Sequence, residues 1–438
     1  MYILLSKTKG VFFMLNGNKR WVYIAVPIFF FWFFGQIDKL GISIIQTDQT
    51  FLNDLGLTGA DKMAKVGMIT FVFTISYALS NVIWGFIIDK LGARKTGILG
   101  LILWAITMVV GGLSTSYEMF IVSRIILGIG EGMMIPICGK FISNWFNQRE
   151  FGKAQSSWLA GNYLGPACGA IIITTVIATF HWQAAFFLLA GFNLLIVLPM
   201  FIFLTRDTPE EHPRLDKSEL AYIRQSDSSV NTKKQNFAQD FRYWIVWFGM
   251  LVASFLFFGI SVWLPTYLVG AKGFSKEAMT GITSLSWLFA LGFVILCGIL
   301  SDKTKRPSLL ATILFVLTAL FLTIAILTPQ PVVAGVCMGL AMGAQGGVFH
   351  LSNLFIVKFS TPETAGRAAG LMGFTNILGG FSSYIMGWMV DLSHGDFGPS
   401  ILMLIITASL GIIAYLFTLK KEAEEIKIEK MSQNRVSA

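Results

Sequence analysis

Apolar runs long enough to form membrane-crossing helices recur along the whole chain. They lie near 22–44, 65–88, 97–114, 118–141, 157–178, 182–204, 243–269, 278–300, 308–328, 331–357, 366–390 and 398–419. A bilayer core about 30 Å thick needs roughly 20 apolar residues per helical crossing. Lipid offers no partner to an open sheet edge, and these runs are far longer than barrel strands. The pattern therefore predicts an all-α membrane protein with twelve transmembrane helices. A polar segment of mixed charge, 205–242, separates the sixth run from the seventh. The expected division is a six-helix bundle over 1–204, a linker over 205–242 that includes a short surface helix, and a second six-helix bundle with a polar tail over 243–438.

Composition agrees: the chain is 55% hydrophobic and 13% charged, with a mean hydropathy of +0.68. Its net charge of +9 would suggest a nucleic-acid partner in a soluble protein. Here the basic residues sit in loops and tails, where they report topology instead. With the N-terminus inside, the cytoplasmic segments hold 26 of the 33 lysines and arginines, the outer loops four, and the spans three (Lys39, Arg124 and Lys140). Both termini are thus expected in the cytoplasm. Cys138, Cys168, Cys297 and Cys337 fall inside apolar runs without metal-ligand spacing, so they read as small apolar residues. The first long run carries Asp38 and Lys39 and reads as a retained span rather than a cleaved leader.

The two halves repeat each other. Gly85-Phe86-Ile87-Ile88-Asp89-Lys90 aligns with Gly298-Ile299-Leu300-Ser301-Asp302-Lys303 at an offset of 213, and Gly152-Lys153-Ala154 with Gly366-Arg367-Ala368 at 214. Asn162 and Gly165 fall on Asn376 and Gly379 at that same 214. A near-constant offset at equivalent span boundaries predicts two parallel repeats that rock around a central site.

Gly85-x-x-x-Asp89-Lys90-x-Gly92-x-Arg94-Lys95, at the turn between the second and third spans, resembles the signature loop of the major facilitator superfamily, with a degraded copy at Gly298–Arg306. In a gating role, Gly85 permits close helix approach, Asp89 accepts bonds from a neighbouring helix N-terminus, Arg94 pairs across the gate, and Asp302 is the repeat copy of Asp89. The alternative is an ordinary basic turn.

Three further stretches narrow the resemblance: Asp38-Lys39; Arg124-Ile125-Ile126-Leu127-Gly128-Ile129-Gly130-Glu131-Gly132 followed by Ser143-Asn144-Trp145-Phe146; and Trp263-Leu264-Pro265-Thr266-Tyr267-Leu268. Together they resemble the anion:cation symporter family of bacterial hexuronate, galactonate, glucarate and phthalate carriers, which is similar to animal sialic-acid and vesicular glutamate transporters. The resemblance implies a secondary transporter in a bacterial cell membrane that imports an organic anion, such as a sugar acid or aromatic carboxylate, with protons and without a cofactor. It also implies a chain that acts as a monomer. An anion exchanger, an exporter or a non-transporting sensor of the same fold are the alternatives. No HExxH motif, Cys/His cluster or Ser/His/Asp arrangement suggests an enzyme.

A charge at the bilayer centre costs at least about 2.5–3.5 kcal/mol, so Asp38, Lys39, Arg124 and Glu131 must be paired or face water. Arg124 and Glu131 are seven residues apart and share one helix face. A cation is needed to attract a carboxylate, and a carboxyl in low dielectric can carry a proton near neutral pH. By the resemblance, Lys39 contacts the substrate anion at a position where the family usually has arginine. Asp38 pairs with Arg124 and takes part in proton coupling, Arg124 joins Lys39 among the substrate-binding candidates, and Glu131 is the principal proton carrier. Each of the four also has a reading as part of a structural ion pair between the first and fourth spans.

An ammonium is a point charge, whereas a guanidinium grips a carboxylate with two parallel bonds. Lys39 therefore leaves the substrate unnamed, as does Gln36, which stands where many members have tyrosine. Tyr77, Asn162, Ser352, Asn353 and Asn376 are candidates for bonding substrate hydroxyls, or for hydrogen bonds between helices. Gln345 occupies the repeat position of Glu131, which confines proton coupling to the first half. His350 reads as a structural residue.

Overall fold

The structure, a computed structural model, describes residues 18–225, 241–359 and 374–436. Its long helices are α1 (Trp21–Ile45), α2 (Lys62–Leu91), α3 (Ala93–Gly112), α4 (Tyr117–Trp145), α5 (Gln148–Thr179), α6 (Gln183–Phe203), α7 (Phe241–Gly270), α8 (Lys276–Thr304), α9 (Pro307–Leu327), α10 (Pro331–Phe359), α11 (Thr375–Leu392) and α12 (Gly398–Val436). Among the described residues, eleven are long and apolar enough to cross a membrane. The exception is α11, whose predicted run, 366–390, begins outside the described residues.

The repeat read from the sequence is visible in the packing. Helix α1 lies along α5, α2 along α4, and α3 against α4 and α6; the second half reproduces this with α7 on α11, α8 on α10, and α9 on α10 and α12. Helix ends are satisfied in the same repeating way. The backbone N–H of Arg94, opening α3, donates to Asp207 beyond α6 at 2.8 Å. That of Ser308, opening α9, donates to Glu422 in α12 at 2.9 Å. Both carboxylates meet orphan donors and the positive end of a helix dipole.

The halves meet along α2–α11, α5–α8 and α1–α7, the first two being equivalent under the repeat. Glycine is required where α2 and α11 touch: a Cβ on Gly67 would lie 2.2 Å from the Ser383 carbonyl oxygen, and one on Gly387 2.1 Å from that of Met63. Polar contacts between the halves gather at the end of the bundle opposite the linker. Asp391 of α11 accepts from the backbone N–H groups of Met63 and Ala64, at 3.1 and 2.8 Å, and so caps a helix of the other half. Lys276 donates to Asp48 at 2.6 Å, and the Gln46 amide reaches the Val262 carbonyl at 2.8 Å. At the linker end, buried Arg20 binds Glu150 at 2.8 Å and Glu219 at 2.7 Å. This ties the linker helix Lys217–Arg224 to the first half.

Candidate functional site

Asp38 and Lys39 are consecutive on α1, so their side chains leave the helix about 100° apart. Each finds a different charge on α4. The Arg124 guanidinium lies 3.5 Å from one oxygen of Asp38, and the Trp104 indole N–H of α3 donates to the other at 2.7 Å. The Lys39 ammonium lies 3.9 Å from Glu131. It also stands 3.9 Å above the centre of the Tyr77 ring, with Phe73 at 5.5 Å and Trp32 at 5.9 Å. A desolvated cation over such rings gains about 2 kcal/mol, which offsets part of the cost of burial. Arg124 and Glu131 are buried, and the Arg124 guanidinium sits 5.1 and 5.0 Å from the Phe120 and Phe186 rings.

The backbone of α4 is shaped around Glu131. Regular helix runs Tyr117–Glu131, breaks at Gly132 and Met133, and resumes at Met134–Trp145. Side chains of α2 hold this region: Ser80 donates to the Gly128 carbonyl at 3.2 Å and Asn81 to the Gly132 carbonyl at 3.0 Å. Gly128 and Gly132 allow that approach, since a Cβ on them would lie 2.5 Å from the Phe73 carbonyl oxygen and 2.0 Å from the Ser80 hydroxyl.

Neither oxygen of Glu131 receives a hydrogen-bond donor, although the residue is fully buried. The arrangement is therefore two carboxyls and two cations in one buried cluster, with Asp38 bonded by Trp104 and Arg124 and Glu131 left without a donor.

Of the other predicted site residues, Tyr77 joins the cluster beneath Lys39. Asn162 and Asn376 are half-buried on α5 and α11. Ser352 does not join the charges: it is buried in the second half against the Tyr415 hydroxyl at 3.1 Å. The Asn353 side chain lies outside the described residues. Gln345 is buried and donates to Thr318 at 2.6 Å, while His350 stands beside Gly298.

The signature loop departs from expectation at three residues. A Cβ on Gly85 would meet open space, so no helix approaches there. Asp89 accepts from the Lys140 ammonium at 3.0 Å rather than from a helix N-terminus. The Arg94 side chain donates to the Ile202 carbonyl at 2.8 Å, within its own half and not across a gate, because Asp207 already holds the Arg94 backbone beside α6. Asp302 is exposed. Trp104 was missed by the sequence reading; its only signal is an indole N–H in an apolar span, a donor that needs an acceptor once buried.

Two bundles of six helices that meet along repeat-related seams, with ion pairs buried inside one of them, define a membrane transporter. The chain belongs to the Major Facilitator Superfamily, whose sequence profile matches residues 28–384. It is 29% identical to the glycerol-3-phosphate transporter of Bacillus subtilis, over 83% of this chain and 86% of that protein. It is 27% identical to a probable sulfoacetate transporter of Cupriavidus necator, over 88% and 91%, and 25% identical to the hexuronate transporter of Bacillus subtilis, over 89% and 94%. Among solved structures, the fold is similar to a bacterial homologue of the human lysosomal transporter Spinster in an inward-facing, occupied conformation. That likeness has a TM-score of 0.73 at 16% identity and covers 90% of this chain and 96% of that one. The chain is thus a multi-pass transporter similar to carriers of small organic anions, and not an enzyme.

Proposed function

We propose that this transporter imports a small organic anion together with protons by alternating access, with both termini in the cytoplasm. The observation that carries the reading is the buried cluster of α1 and α4, in which Glu131 is enclosed without a donor and Lys39 is its nearest cation. Ionised Glu131 competes with a substrate anion for Lys39, and protonated Glu131 releases it. Binding of proton and anion are therefore linked in sign: each favours the other. Asp38, bonded by Trp104 and Arg124, accepts the proton from Glu131 or shares it. Asn162 and Asn376, equivalent under the repeat, supply bonds to the neutral part of the substrate.

The seam closed by Asp391, Asp48 and Gln46 faces outward in this reading, so the described conformation is closed to the outside. Arrival of anion and proton from outside requires these contacts to break, and release to the cytoplasm follows their re-formation.

The relatives' names supply the probes. Purified protein is screened by thermal shift against glucuronate, galactonate, glycerol 3-phosphate and sulfoacetate, and any ligand found is followed by uptake at two external pH values. Stabilisation by an acid, with faster uptake at lower external pH, is the expected result. Stabilisation by neutral sugars alone refutes the organic-anion reading, and uptake indifferent to pH refutes the proton.

A further inference from the structure

The distribution of charge between the halves says what kind of acid fits. Residues 243–271, 278–301, 307–357, 368–390 and 397–419, the central stretches of the second half's runs, contain no Lys, Arg, Asp or Glu, and Arg367 of the predicted run 366–390 lies outside the described residues. The one histidine among them, His350, stands beside Gly298 of α8, a glycine near the linker end of that helix, which closes at Thr304. All four charges of the cluster belong to α1 and α4.

Of its two cations, Arg124 is turned into its own half. It touches Asp38, Phe120 and Phe186, and one terminal nitrogen lies 3.3 Å from where a Cβ on Gly111 of α3 would stand. Lys39 keeps 11% of its side chain exposed, against 3% for Arg124. The wall across from α1 is aromatic and hydroxylic. Trp287 and Thr283 of α8 meet Ile37, Leu40 and Gly41 of α1 across a narrow cleft on the face of α1 turned away from Lys39, and Phe257 joins Trp287 and Phe349 edge to face at 5.6 and 5.5 Å.

We infer that the transported anion is a mono-acid, charged at one end for Lys39 and neutral at the other for the second half, and that an α,ω-diacid of the same length is rejected. The inference rests on the organic-anion reading above. A second carboxylate would enter an enclosed surface where, among the described residues of the spans, no cation of the second half stands to receive it. Leaving one charge of a buried pair unmatched weakens binding by at least about thirtyfold, so mono-acids should bind at least that much more tightly than matched diacids.

The test uses the full chain in lipid nanodiscs and titrates matched pairs by calorimetry: gluconate against glucarate, galactonate against galactarate, and benzoate against terephthalate, with glucitol as the neutral control. Preference for the mono-acid of at least thirtyfold within a pair, lost in Lys39→Ala, is expected. Equal or tighter binding of the diacid overturns the inference and leaves the organic-anion reading standing. Binding of none of the six acids overturns the inference, and binding of glucitol alone overturns both.

Discussion

Replacing Asp391 with alanine should shift the transporter away from the conformation closed opposite the linker. The carboxylate holds two backbone N–H groups at the start of α2, at 3.1 and 2.8 Å, from the other half of the molecule. Loss of a helix cap costs about 0.5–2 kcal/mol, and loss of a negative charge at a helix N-terminus about 0.3–1 more. When the seam opens, water takes over both N–H groups and the carboxylate, so this stabilisation belongs to the closed state alone. A change of about 1–3 kcal/mol moves the open-to-closed ratio by roughly 5- to 150-fold. Spin labels at exposed Thr58 and Gln330, in a background with exposed Cys168 replaced, report the separation of the two halves. Asp391→Ala should enrich the long distance and Asp391→Asn should do so less. An unchanged distance distribution would refute the reasoning, because the cap would then contribute nothing to closure.

Three further outcomes follow from the same geometry. Gly67→Val or Gly387→Val places side-chain atoms where a bare Cβ already lies 2.2 or 2.1 Å from a backbone oxygen, so either variant should populate the open distance and abolish transport while remaining folded by thermal denaturation. Burial works against ionisation of Asp48, but the Lys276 ammonium and Thr50 outweigh it and hold its carboxyl below the ordinary range. The ion pair therefore favours closure above that range and is lost as pH falls through the depressed value; the closed fraction should be level from about pH 8 to pH 5, and Asp48→Asn should lower it throughout. Trp104→Phe keeps the ring but removes the 2.7 Å donor to Asp38, a bond to a charged group worth about 1.5–3 kcal/mol; transport should fall by about tenfold or more with the melting temperature nearly unchanged.

The elements that sequence made legible are those carried by composition and spacing. Twelve apolar runs and a constant offset between halves suffice for the architecture, because lipid permits few alternatives. The Asp38–Arg124 pair followed from the resemblance to the anion:cation symporters, and the two side chains do meet. The Lys39–Glu131 approach was not, because it depends on how far α1 is turned about its axis. Nor was the break after Glu131, which arises from Ser80 and Asn81 of a neighbouring helix bonding to α4 carbonyls. Asp89 and Arg94 were misread for a related reason: a loop motif identifies a turn, but the partners of its side chains come from α4 and α6, distant in sequence. Asp391 carried no local signal at all, since the helix it caps begins more than three hundred residues earlier.

The role of Glu131 is tested most directly by reconstituting wild-type protein and Glu131→Gln in proteoliposomes and comparing two assays on an acid ligand from the thermal-shift screen. One is accumulation driven by an inward proton gradient; the other is counterflow without any gradient. The variant should retain counterflow, because glutamine leaves Lys39 free for the anion, and should lose gradient-driven accumulation. Wild-type accumulation by Glu131→Gln would contradict the account.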